Sequence, residues 1–126
     1  MLKIDHIAIY AKNILCLSEF YIQTFGFVEK NRKYHEDGKI KMIGLKVNET
    51  QMIELFNFDR DDHNLNQGYV NSGYMHLGFE IYDLNSFLVG INSNIIEQNF
   101  IGTDGIHHIF IRDPEKNLIE LSEQRT

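Results

Sequence analysis

Two stretches of this chain read alike, in the same order, and that likeness restricts the folds open to it. Placing His6 on His76 brings Ile7 onto Leu77, Ala8 onto Gly78, Ile9 onto Phe79, Asn13 onto Asp83 and Ile14 onto Leu84. Placing Glu54 on Glu120 brings Leu45 onto Ile111, Glu49 onto Glu115, Met52 onto Leu118, Ile53 onto Ile119 and Leu55 onto Leu121. One histidine opens each half, and one glutamate sits in the last strand pattern of each half. The second half is slightly shorter, as tighter connections would make it. Self-similarity of this kind means one supersecondary unit used twice.

The local pattern defines the unit. Residues 3–10 alternate as a strand. Asn13 then caps a helix over 14–25, in which Ile14, Leu17, Tyr21 and Phe25 form one stripe and Gly26 supplies the stop. Strands are expected at about 27–34, 39–47 and 51–58, with Asp37-Gly38 as the hairpin turn between the first two. Residues 59–72 are polar and aperiodic and read as a link. The order then recurs: a strand at about 74–82, Asp83 as a cap, a helix at about 84–92, and strands at about 95–102, 106–112 and 117–123. Asp113-Pro114-Glu115-Lys116-Asn117 is a strong turn signal before the last strand.

Strand parity says where the paired polar residues point. His6 shares a face with Ala8 and Tyr10, and Glu54 with Met52 and Phe56. His76 shares one with Gly78 and Glu80, and Glu120 with Leu118 and Ser122. The opposite face is apolar in every case and suits packing against helices. A carboxylate among Met, Phe and Leu is costly to bury alone. Sharing a cation with a second carboxylate and two imidazoles removes that cost. Two His and two Glu make a nitrogen–oxygen donor set suited to zinc or nickel, and also to manganese, cobalt or iron. The remaining histidines, His35, His63, His107 and His108, have no counterpart in the repeat and are read as surface or cleft-edge residues.

Charge removes other classes. The net charge is −6 and the twelve basic residues are scattered, so there is no basic face for nucleic acid or for an anionic membrane. No stretch approaches the roughly 18 apolar residues of a membrane span, and none reads as a signal peptide. The single cysteine, Cys16, cannot form an internal disulfide; it is read as a small core residue of the first helix. A cytoplasmic protein is expected.

Ile4-Asp5-His6-Ile7-Ala8-Ile9, Phe20-Tyr21 with Phe25-Gly26-Phe27, Met75-His76-Leu77-Gly78-Phe79, and Ile111-Arg112-Asp113-Pro114 leading to Asn117-Leu118-Ile119-Glu120-Leu121 together resemble the vicinal-oxygen-chelate superfamily. That superfamily includes glyoxalase I, methylmalonyl-CoA epimerase, extradiol dioxygenases, and fosfomycin and bleomycin resistance proteins. The resemblance covers the whole chain. It implies an α+β fold of two βαβββ modules forming curved mixed sheets around a central metal-binding cleft. The chain would be one such domain, with module one at about 1–58, a linker at about 59–72 and module two at about 73–126. The family's metal ligands fall on His6, Glu54, His76 and Glu120, a complete set that looks most like the glyoxalase I type. Homodimers are common in the family.

The activity implied is that of a divalent-metal-dependent lyase or isomerase. It would move a proton on a small 2-hydroxycarbonyl substrate through a metal-bound enediolate, with Glu120, ahead of Glu54, as the base. Tyr10, Phe56 and Phe58 would line the substrate cleft. Two departures bear on the substrate. Glyoxalase I usually carries Arg where this chain has Tyr10, and Asn where it has Phe58, and both serve glutathione recognition. The epimerases usually carry Gln at the position of Glu54. A non-catalytic small-molecule or antibiotic-binding protein, and a metal-dependent dioxygenase, epimerase or thiol transferase, are the alternatives of the same fold.

Overall fold

The computed structural model describes residues 1–57 and 73–124. The expected link at 59–72, with His63, lies outside the described residues, as does Phe58. The chain forms two compact units, Met1–Asp62 and His63–Thr126.

In the first unit, β1 (His6–Tyr10) leads to α1 (Ile14–Phe25) and then to β2 (Val28–Tyr34), β3 (Ile40–Lys46) and β4 (Met52–Phe56). The sheet order is β1-β4-β3-β2, with β1 parallel to β4 and the other pairs antiparallel. The Asn13 side chain accepts the Cys16 N–H at 3.1 Å, which starts α1. Gly26, at φ +75°, ends the helix with its own N–H on the Ile22 carbonyl. Ile14, Leu17, Ser18 and Tyr21 are the buried stripe of α1, and they pack against β3 and β4. Phe27, just after the helix, stacks on Tyr21 and Phe25 at the end of α1. Cys16 is exposed, not in the core as expected. It stands two positions beyond Ile14, which on a helix turns it about 200° away from the buried stripe.

The second unit repeats the plan. β5 (Leu77–Ile81), α2 (Leu84–Val89), β6 (Ile96–Ile101), β7 (His107–Arg112) and β8 (Leu118–Glu123) give the sheet order β5-β8-β7-β6. Again the first and last strands are parallel and the other pairs antiparallel. Asp83 caps α2, accepting from the Ser86 N–H at 3.1 Å and the Ser86 hydroxyl at 2.8 Å. The helix is shorter than the expected 84–92. It stops before Gly90, and Asn92 starts a separate 3-10 turn at Ser93–Ile95 by accepting the Asn94 N–H. The Asp113 turn is built as its sequence implies. The buried Asp113 carboxylate accepts the Glu115 and Asn117 N–H groups and the Asn117 amide, and Lys116 takes φ +70°.

The two registers match residue for residue. Ala8 lies opposite Glu54 and Gly78 opposite Glu120; Ile7 lies opposite Ile53 and Leu77 opposite Ile119; Ile9 lies opposite Leu55 and Phe79 opposite Leu121. These are the pairs the repeat aligned. The chain is therefore α+β, two βαβββ modules each with a mixed four-stranded sheet. Ile53, Leu55, Ile119 and Leu121, the helix-side residues of the inner strands, are all buried. Among the described residues no helix is long and apolar enough to cross a membrane.

Leu121 is fully buried and Val89 is 88% exposed. Leu121→Ala is expected to lower stability to urea by about 2–5 kcal/mol, and Val89→Ala by less than about 0.5 kcal/mol. Equal costs at the two positions would contradict the assignment of the core face.

Candidate metal centre

Each module brings one histidine to one glutamate by the same route. Glu54 is on the inner strand β4, with Ala8 directly across on β1. His6 lies opposite Met52, so it is the diagonal neighbour of Glu54 on the same face. A diagonal gap is within reach of long side chains, and the small Ala8 leaves it open. His6 Nε2 lies 3.4 Å from Glu54 Oε1. In the second module Gly78 lies across from Glu120, and His76 sits two residues earlier, just before β5 begins. His76 Nε2 lies 2.8 Å from Glu120 Oε2. A Cβ built on Gly78 would meet open space. The side chains of Glu54, His76 and Glu120 are 23%, 25% and 22% exposed, neither sealed nor fully solvated.

The orientation of His6 is held from behind. Its Nδ1–H donates to Asp5 Oδ2 at 2.8 Å, which leaves Nε2 to face Glu54. A carboxylate behind the imidazole is a common support for a metal-binding histidine, because it sets the tautomer and raises the basicity of the other nitrogen. Asp5 and then Glu54 raise the His6 pKa above its ordinary value. The same hydrogen bond lowers that of Asp5. His76 is steadied differently, by an edge-to-face contact with Phe110 at 5.3 Å, and Phe110 stands directly opposite Glu120.

Donor chemistry and spacing both suit a divalent ion. Two donors each about 2.1 Å from one ion lie about 3.0–3.4 Å apart, and the two His–Glu distances, 3.4 and 2.8 Å, are near that range. Among the described residues no three His, Cys, Asp or Glu side chains gather into one metal-holding set. What each unit presents is a pair. Tyr10 and Phe56 lie opposite each other on the face of Glu54, where a substrate-lining role was expected of them. Glu80, opposite Ser122, is exposed on the face of Glu120.

His108 is the residue that the repeat hid. It lies opposite Ser122 on β7, and so is the diagonal neighbour of Glu120 from the other side. Its Nδ1 lies 3.0 Å from Glu120 Oε1 and 2.9 Å from Ser122 Oγ, and its side chain is only 14% exposed. Counting back across the Asp113 turn pairs His108 with Ser122, so register was the signal that could have found it. His35 and His107 have structural partners instead, the Asn57 carbonyl at 2.7 Å and the Asn99 side chain.

A family model for the Glyoxalase/Bleomycin resistance protein/Dioxygenase superfamily matches residues 3–121, and the chain belongs to that superfamily. It is similar to Uncharacterized protein YwkD of Bacillus subtilis (strain 168), at 29% identity over 125 residues and 97% of each chain. Its fold is similar to that of a glyoxalase family protein from Enterococcus faecalis, with a TM-score of 0.75, 26% identity, and 96% and 97% of the two chains covered. The fold is also shared with a lactoylglutathione lyase from Agrobacterium tumefaciens, with a TM-score of 0.63, 22% identity, and 96% and 92% covered.

The raised pKa of His6 couples folding to pH. The protonated ring favours the folded state below the ordinary value of 6.5, and that contribution fades as pH rises through the raised one. Asp5 contributes in the opposite sense, losing its effect as pH falls through its lowered value. In metal-free protein, NMR titration of the His6 ring is expected to give a midpoint above 6.5. Asp5→Asn should lower that midpoint more than Glu54→Gln does. A midpoint unmoved by Asp5→Asn would remove the carboxylate from its supporting role.

Proposed function

We propose that this protein is a divalent-metal-dependent lyase or isomerase of the glyoxalase type, acting on a small 2-hydroxycarbonyl substrate. The observation that carries the reading is the twice-repeated pairing of a histidine Nε2 with a glutamate carboxylate, at the same register position of each module. His6 and Glu54 from one kind of module, and His76 and Glu120 from the other, would hold the ion. Zinc or nickel suits this set best, with manganese, cobalt and iron also compatible. When bound, the ion supplies Lewis-acid stabilisation of negative charge on adjacent substrate oxygens.

The chain's own residues do the remaining work. His6 and His76 present Nε2 beside the two carboxylates, and the bond to Asp5 orients the His6 ring. Glu120 takes the proton from the hydroxyl-bearing carbon and returns it to the former carbonyl carbon, while the hydroxyl proton passes to the former carbonyl oxygen. Tyr10 and Phe56 offer an apolar wall on the Glu54 face, which favours a compact apolar part of the substrate. Tyr10 in place of the arginine of glyoxalase I points away from glutathione as the thiol carrier. The same apolar wall favours a second reading, in which the protein binds a small molecule without turning it over. A dimer in solution fits either reading.

Protein purified without a histidine tag should carry close to one equivalent of a transition metal by elemental analysis, and His76→Ala should lose most of it. Unchanged metal in that variant would sink the site. With a panel of 2-oxoaldehyde–thiol adducts as substrates, Glu120→Gln should lower kcat by about 10²–10⁴-fold. Metal-loaded wild-type protein with no turnover on the panel would instead favour the binding reading.

A further inference from the structure

The two glutamates are not in equivalent surroundings. In module one, the residues diagonal to and beyond Glu54 are Met42 and Phe56, which face each other across β3 and β4. In module two, the matching positions are His108 and Ser122, facing each other across β7 and β8. Glu120 is therefore held between two imidazoles, His76 from just before β5 on one side and His108 of β7 on the other. His76 takes Oε2 at 2.8 Å and His108 takes Oε1 at 3.0 Å.

The His108 ring is itself held on every side. Its Nδ1–H is shared between Glu120 Oε1 and Ser122 Oγ. Its Nε2 faces the Asp104 carboxylate, 3.3 Å from each oxygen. Phe100 stacks on the ring at 5.3 Å. The turn that brings Asp104 there is closed by the Gly102 N–H on the Ile106 carbonyl, the Gly105 N–H on the Gly102 carbonyl, and Asp104 accepting the Ile106 N–H. A Cβ on Gly102 would lie 3.0 Å from His108 Nε2, 3.1 Å from its Cδ2 and 2.7 Å from Asp104 Oδ1. A side chain at this position would press on both the ring and the Asp104 carboxylate.

We propose that His108 is the positioning residue of Glu120, holding one carboxylate oxygen so that the other is presented beside His76 as a single-oxygen ligand and base. The role assigned to His108 rests on the proposed metal-dependent function. A free carboxylate rotates about its last bonds and can offer either oxygen or both. Tying Oε1 to a ring held by Ser122, Asp104 and Phe100 restricts that freedom before the ion binds, and gives Glu120 a partner when it exchanges the ion for a proton. Glu54, with Met42 and Phe56 at the matching positions, is not supported in this way. The two glutamates that the repeat makes look alike thus differ in how they are held.

Cobalt(II) titration of metal-free protein, followed by visible absorption, tests it. Wild type should bind and His76→Ala should not. His108→Leu should bind about 10–100-fold more weakly, as loss of a partner behind a ligand typically does, with altered cobalt bands. His108→Asn should recover most of the affinity, because its amide nitrogen stands near the place of Nδ1. Gly102→Ala, which presses on the ring and on Asp104 without removing either, should weaken binding to a lesser degree. It also decides the matter, with His108→Asn, if His108→Leu fails to give a native circular dichroism spectrum. Wild-type affinity and spectrum in both His108→Leu and Gly102→Ala would overturn the positioning role and leave the metal site standing. Equal weakening in His108→Leu and His108→Asn would assign the ring to packing alone and also overturn it. Failure of wild type to bind cobalt would remove the metal-dependent reading, and the role of His108 with it.

Discussion

In both modules the last strand lies between the first strand and the one before it, hydrogen-bonded on both edges. The core and the candidate site both depend on that placement. A strand with neighbours on both sides and a helix over one face must be apolar on that face, and Ile53, Leu55, Ile119 and Leu121 are. Its other face is then the best-controlled surface in the module, because side chains there are fixed by two registers at once. Glu54 and Glu120 stand on that face, each opposite a residue small enough, Ala8 or Gly78, to admit a diagonal histidine. The polar pair is a product of the same pairing that makes the core.

The two modules carry the same arrangement and differ in how they hold their parts. Module one fixes its histidine, through Asp5 behind His6. Module two fixes its glutamate, through His108, Ser122 and the Gly102 turn. One carries polar support beneath the imidazole and the other beneath the carboxylate. Nothing in the backbone plan requires this difference, since the registers agree residue for residue. It resides in a few side chains, chief among them the β3 and β7 residues that flank each glutamate.

The repeat, the strand order and the cap residues Asn13 and Asp83 were legible in the sequence because each rests on local chemistry or on alternation. Boundaries were less so. His76 falls just outside β5 although its parity matches the strand, and α2 ends early because Gly90 and Asn92 compete with continued helix. Cys16 was misplaced by residue type, when its helical position already turned it outward. The four paired residues could be found by comparing halves. His108 could not, since a residue without a counterpart is invisible to that comparison; it needed the register set by the Asp113 turn. Tyr10 and Phe56 could be assigned to a face but not to a substrate, because an apolar wall has no directional groups to read.

The parallel pairing of first and last strands also has a temporal side. Parallel neighbours cannot be joined by a hairpin, so the chain between them must first make a helix and two further strands. His6 and Glu54 are thus contacts of high sequence separation within their module, as are His76 and Glu120. Contacts of that kind are the slow ones, for their loop-closure entropy is met before they repay it. A partly folded module offers a lone imidazole or a lone carboxylate, never the His–Glu pair. During synthesis the first module can close its pair while the last strand of the second has yet to be made.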